Sequence, residues 1–262
     1  MSDDDAIVRI EGDRIIPSAY AAGPWDPNAQ HGSVPTSVIT HIVEHMPAPG
    51  PMQIARLTID LMRPVPLAPL QVKTETLREG RKIQVIGVSL TSEGKECVRA
   101  TVLRTRVAPA DLPEAAQPAP FLSRLPLDCP IVPENPQWAG FVKSLELRVV
   151  SGGGPMAAAG PTACWFKLKR PMVEGASMSP FMRAAVAADF PNGLSSQIKI
   201  TEWLFINGDL TVNYFREPVG EWILCDAQTS YGPNGAAIAV ANLADEKGWI
   251  GRSIQSLVVE RR

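Results

Sequence analysis

Residues 57–65 read Leu-Thr-Ile-Asp-Leu-Met-Arg-Pro-Val, and residues 210–219 read Leu-Thr-Val-Asn-Tyr-Phe-Arg-Glu-Pro-Val. The second run carries one added residue, Glu217, and starts 153 positions after the first. Ser92-Glu93-Gly94-Lys95 and Glu246-Lys247-Gly248-Trp249 recur at a similar offset, each between alternating apolar runs. That spacing is too long for a solenoid and has the length of a duplicated domain. A chain of 262 residues holding two such copies is constrained to fold as two like halves. The prolines fall where a division is needed. Eight of the 25 (109, 113, 118, 120, 126, 130, 133 and 136) lie between Ala108 and Trp138. Such density fits neither a helix interior nor a central strand. The expected organisation is an N-terminal unit over 1–107, an extended Pro-rich connector over 108–138 and a C-terminal unit over 139–262.

Both halves parse as a Gly- and Pro-containing loop, one helix, then strands. Thr36 to Met46 places Val38, Ile39, Ile42, Val43 and Met46 on one helical face, with Pro35 suited to the first turn and Pro47 to the stop. Period-two alternation predicts strands at 55–63, 70–77, 82–92 and 96–107. In the second half Ser179 caps a helix over Phe181 to Phe190, which Pro191-Asn192-Gly193 ends. Strands are predicted near 197–204, 208–216, 220–230, 235–244 and 249–260. One helix followed by antiparallel strands is an α+β pattern, with the helix on one face of the sheet.

Composition and motifs exclude several functions. A net charge of −2 and a pI near 6.0 argue against nucleic-acid binding. No long apolar run is present, so no membrane span is expected, and the acidic start Met1-Ser-Asp-Asp-Asp5 is unlike an export signal. Cys97, Cys129, Cys164 and Cys225 are scattered, which points to buried thiols in a reducing, cytoplasmic setting rather than to a metal site or disulfides. There is no G-x-S-x-G elbow. Gly152-Gly153-Gly154-Pro155-Met156-Ala157 lacks the helix a dinucleotide site requires and reads as a loop, and Lys167, Lys169 and Arg170 read as the solvent face of a strand. The only histidines are His31, His41 and His45. His41 falls on a polar helix face with Ser37, Thr40 and Glu44, and His45 on the apolar side.

Polar groups on apolar faces carry the functional signal. Asp189 lies three residues after Val186 and seven after Met182, on the apolar stripe of the second helix. It is either a buried carboxylate of use as a general base or a helix-end residue turned to solvent at Pro191. Gln255 shares a strand face with Leu257 and Val259 and needs hydrogen-bond partners if buried. Asn207-Gly208-Asp209 precedes the second Leu-Thr strand, where the first half has Ile54, Ala55 and Arg56. The polar groups sit in one copy only, which suggests one site per chain.

Taken together, Gly23-Pro24-Trp25-Asp26-Pro27 with His31-Gly32, the run Leu57 to Val65, Ala188-Asp189-Phe190-Pro191-Asn192-Gly193, Gly220-Glu221-Trp222 and Gly251-Arg252-Ser253-Ile254-Gln255-Ser256-Leu257 resemble the double-hotdog acyl-CoA thioesterases, of the thioesterase II type and its relatives. The resemblance covers residues 24–260. It implies an α+β tandem hotdog, each half an antiparallel sheet wrapped around a central helix, with the two sheets joined side by side. It also implies hydrolysis of acyl-CoA by water, with no metal and no cofactor. The family's catalytic set is an Asp on the second helix, a Thr or Ser on a following strand and a Gln on the last strand. Asp189 and Gln255 match the first and third. Asn207 stands near the second, with Thr211 slightly later. Oxyanion donors and substrate contacts are expected from His31-Gly32 or from Gly175-Ala176, and Ser33 stands where many relatives carry a second Gly. The expected partners are acyl-CoA and a further copy of the chain, a dimer being favoured. A non-catalytic acyl-CoA or lipid binder is the alternative, which turnover would discriminate. A hydratase ranks behind both, since it pairs Asp with a His and the second half holds none.

Overall fold

Alternating apolar residues drive the regular part of the chain mainly into strands, and the few helices pack against the sheet they form. The computed structural model describes residues 6–116, 121, 123–135, 138 and 140–262. The acidic start and prolines 118, 120 and 136 of the connector lie outside the described residues. In the first half a hairpin of β1 (Val8–Glu11) and β2 (Arg14–Pro17) precedes α1 (Ser33–Glu44). Then come β3 (Met52–Leu61), β4 (Leu70–Arg78), β5 (Ile83–Ser92) and β6 (Lys95–Arg106). The second half repeats the scheme with β7 (Leu145–Ser151), β8 (Thr162–Leu168), α2 (Pro180–Ala188) and a short α3 (Pro191–Ser195). It continues through β9 (Trp203–Asn207), β10 (Asp209–Tyr214), β11 (Ile223–Tyr231), β12 (Ala236–Asp245) and β13 (Gly248–Arg261).

All strands join one 13-stranded sheet in the order β1-β2-β4-β5-β6-β3-β10-β13-β12-β11-β8-β7, with β9 paired to the end of β13. The order is palindromic when each strand is exchanged for its counterpart in the other half. At its centre β3 and β10 run antiparallel, and Thr58 faces Thr211 with their hydroxyl oxygens 3.3 Å apart. These are the residues the sequence repeat makes equivalent. A pseudo-twofold axis therefore passes between them, and the tandem hotdog architecture follows.

The helices pack antiparallel to each other within the curved sheet. Ser33 Oγ donates to the Val186 carbonyl at 2.9 Å and Ser37 Oγ to the Met182 carbonyl at 3.2 Å. This overturns one expectation, because Ser37 and Thr40 are buried rather than solvent-facing. Each hydroxyl bonds a carbonyl, Thr40 that of Thr36 at 2.9 Å, so a face that reads as polar can be buried against a helix. His45 is also corrected: α1 ends at Glu44, and His45 is exposed and packs at a tilt against His41 with ring centroids 4.2 Å apart. Pro47 disfavours helical backbone at the residue before it, which pulls the helix end back. The strand predicted at 197–204 starts only at Trp203. Ser196 Oγ accepts from the Ile198 N–H at 3.1 Å and closes a turn there. The hairpin β1–β2 was not predicted. The four cysteines are free and buried, as expected, and burial pushes the Cys164 thiol up to about 12. No helix among the described residues is long and apolar enough to cross a membrane.

Candidate functional site

Asp189 sits at the elbow between α2 and α3. Pro191 opens α3 and, lacking an N–H, cannot extend α2, so the chain turns at Asp189 and Phe190. The turn aims the carboxylate inward, and Asp189 is only 5% exposed. Of the two readings left open by periodicity, the buried one holds.

Side chains from three distant segments meet this carboxylate. Asn207, at the end of β9, donates from Nδ2 to Oδ1 at 3.2 Å. Gln255, on the inward face of β13 and fully buried, donates from Nε2 to the same oxygen at 3.2 Å and to the Asp189 backbone carbonyl at 3.1 Å. The Gln255 Oε1 accepts from the Asn192 N–H at 3.3 Å, which fixes the amide's orientation. The other carboxylate oxygen, Oδ2, faces the start of α1. His31 Nδ1 lies 3.1 Å away and Ser33 Oγ 3.4 Å away. The His31 ring is stacked on Phe190 at 4.6 Å and packed against Phe141 at 5.1 Å, which leaves it little freedom to turn. Its Nδ1 also lies 3.1 Å from the Ser33 N–H. One ring nitrogen cannot both donate and accept. With a proton it donates to Asp189. Without one it accepts from the Ser33 N–H.

Gly32 makes the approach of α1 possible. A Cβ at this position would lie 2.7 Å from Oδ2 and 2.8 Å from Oδ1 of Asp189. The Gly32 N–H has no hydrogen-bond partner among the described residues, and Gly32 is the N-cap of α1. A helix start with an unoccupied N–H suits a developing negative charge.

The site opens into a cavity of about 540 Å³. Asp189, Asn207, His31 and Gly32 line it, and Leu61, Val65, Phe190, Leu204 and Ile206 give it a largely apolar wall. Gln255 stands behind the carboxylate and does not reach the cavity surface. Thus Asp189, Asn207, Gln255, His31 and Gly32 come together. Gly175 does not. It lies in an exposed turn whose neighbour Glu174 bonds the Val8 carbonyl at 2.9 Å, before the N-terminus of α2, whereas Asp189 is at the other end of that helix. Thr211 is also elsewhere, on the pseudo-twofold axis. The hydroxyl at the carboxylate is that of Ser33, whose only sequence signal is its place after His31-Gly32. The imidazole of His31 was likewise missed, since the sequence suggested a backbone role for that segment. No cluster of His, Cys, Asp or Glu among the described residues could hold a metal ion.

Comparison with known proteins bears on the family and the fold. A model of the acyl-CoA thioesterase N-terminal domain matches residues 21–105, and one of the acyl-CoA thioesterase C-terminal domain matches residues 113–259. No curated protein matches the sequence. Among solved structures, a hot dog fold protein of unknown function from Alicyclobacillus acidocaldarius is similar at TM-score 0.74 and 16% identity, over 99% of this chain and 97% of that one. An acyl-CoA thioesterase II from Mycobacterium marinum is similar at TM-score 0.64 and 15% identity, over 97% and 94%. A tesB protein from Mycobacterium avium subspecies paratuberculosis gives 0.69 and 12%, over 97% and 95%. At these identities the structures speak for the fold alone.

Proposed function

Because the chain belongs to the acyl-CoA thioesterase family, we propose that it hydrolyses an acyl-CoA to the free acid and CoA, with Asp189 activating the attacking water. The observation that carries this reading is a buried carboxylate, oriented by three side chains and still open to an apolar cavity. The acyl chain lies in that cavity. The amides of Asn207 and Gln255 hold Oδ1, so the carboxylate cannot rotate away from a water bound at the cavity surface. Asp189 accepts a proton as the water oxygen bonds to the thioester carbonyl carbon. The carbonyl oxygen gains negative charge, and the Gly32 N–H at the start of α1 is positioned to stabilise it. Such a donor contributes about 3 kcal/mol of transition-state stabilisation. Collapse of the tetrahedral species breaks the carbon–sulfur bond and releases the CoA thiolate. The proton on Asp189 can pass to His31 Nδ1 across their contact or return to the departing thiolate.

Release of free thiol from a panel of short, medium and long acyl-CoAs tests the proposal, with Asp189→Asn beside the wild type. The variant keeps the shape of the side chain and is expected to lose turnover by about 10³-fold. Tight acyl-CoA binding with no turnover by the wild type would leave a binding protein on this fold.

A further inference from the structure

The pseudo-twofold axis makes β1–β2 and β7–β8 equivalent hairpins, yet their connections differ. Residues 12–13 join the first pair, and residues 152–161 join the second. The longer connection occurs only in the half that carries Asp189. Its backbone is unusual. Gly152, Gly154 and Gly160 take φ of 84°, 87° and 83°, and Met156 and Ala158 take 59° and 52°, a region that side chains disfavour. Loops hold such conformations where surrounding contacts impose them, and functional sites are where they cluster.

Those contacts tie the loop to the segment that follows Asp189. The Met156 N–H donates to the Gly193 carbonyl at 2.8 Å, and the Gly160 N–H to the Ser196 carbonyl at 3.0 Å. The Met156 side chain lies over Gly193, where a Cβ would come within 3.2 Å of Cε and 3.4 Å of Sδ. Pro155 and Met156 thereby join Phe190 and Gly193 in the cavity wall. The charged lining residues Asp26, Arg63 and Glu260 are exposed and mark the side open to solvent. The wall built by Met156, Phe190 and Gly193 is apolar, and the latter two are buried.

We propose that Met156 limits the length of acyl chain the site accepts, held in the cavity wall by a loop that the first half lacks. This rests on the thioesterase reading for the identity of the occupant. An unbranched thioether fills irregular apolar space and yields to small changes in a neighbour. A larger side chain there shortens the room for the chain, and a smaller one extends it.

The test uses the full-length protein with Met156→Ala and Met156→Trp, read in two ways. In the first, kcat/KM is measured across acyl-CoAs of increasing chain length. Met156→Trp is expected to lose about 10-fold or more on the longest good substrate while short substrates change little, and Met156→Ala to move the optimum to longer chains. In the second, the affinity of a series of S-alkyl-CoA thioethers, which cannot be hydrolysed, is measured by calorimetry. A length dependence that shifts with residue 156 supports the proposal even if no thioester is turned over, in which case hydrolysis alone fails. Profiles that superimpose across all three proteins in both measurements, with only thermal stability altered, would overturn the role of Met156 and leave the loop as a strap on α3.

Discussion

At the end of α2, Asp189 meets the start of α1; at the end of α1, Glu44 meets the start of α2, where Ser179 Oγ donates to Glu44 Oε2 at 2.6 Å. The pseudo-twofold axis relates the two arrangements, and their surroundings differ. Around Asp189 stand Asn207 and Gln255, with a cavity beyond. At the corresponding positions of the first half, Ile54 and Val102 are buried aliphatic side chains with no group to donate. Arg104, 4% exposed, fills the space below α1. It donates to the carbonyls of Val43 at 2.9 Å, Met46 at 3.1 Å and Pro47 at 2.7 Å, and from Nε to Gln84 Oε1 at 2.8 Å. A guanidinium there satisfies the orphan carbonyls of a helix end and complements its dipole. At the end of α2 a neutral amide does part of that task and leaves the carboxylate accessible. Duplication supplied two equivalent helix ends. Side-chain chemistry filled the space at one with a guanidinium and left the other facing a cavity.

The comparison can be broken most directly at Gly32. Gly32→Ala drives a methyl group into the Asp189 carboxylate and is expected to lower kcat/KM by at least ~100-fold, a loss far larger than its accompanying destabilisation of about 1–3 kcal/mol explains. A fully active variant would remove the argument that α1 must approach so closely. Arg104→Leu is expected to act on stability instead. It strands several helix-end carbonyls and should lower the unfolding free energy by about 3 kcal/mol in urea titrations, while the folded fraction keeps its turnover. Equal losses of activity and stability would mean that the two ends are coupled rather than divided in role. Asn207→Ala removes one of two amides on Oδ1 and is expected to reduce kcat by about 10-fold without moving the pH at which the protein unfolds.

The smallest effect concerns Glu44. Burial pushes its carboxyl up, outweighing the Ser179 hydrogen bond. A carboxyl raised in the fold is more readily ionised in the unfolded chain, so it costs stability as pH rises above its ordinary value of 4.5 and costs nothing below it. Glu44→Gln should therefore gain stability relative to the wild type between pH 4 and pH 7, seen as diverging melting temperatures. Parallel curves would show that the closed end tolerates its charge.

Much of this was open to reading in the chain itself. The repeat at Leu57 and Leu210 predicted the halves, and the halves meet at that repeat. Asp189 and Gln255 were visible because a polar residue on an apolar face breaks a period, and periods are local. Ser37 and Thr40 misled for the same reason: a hydroxyl bonded to a carbonyl, one turn back for Thr40 and on the facing helix for Ser37, can be buried, which no pattern of polarity reveals. The imidazole of His31 and the hydroxyl of Ser33 lie in a loop and a first helical turn, where no period exists to break. Their partnership with Asp189, more than 150 positions along the chain, depends on how two helices pack.

The amino-acid sequence by itself determined the duplication, the alternation that makes the strands, and a carboxylate and an amide set on otherwise apolar faces of the second copy. Those follow from short-range periodicity and from the cost of burying a polar group. Only the tertiary structure decided which helix start faces Asp189, that Gly175 is remote, and that a loop from β7 to β8 closes the cavity wall. These are relations between surfaces brought together by the packing of whole elements, and the chain encodes them only through the fold.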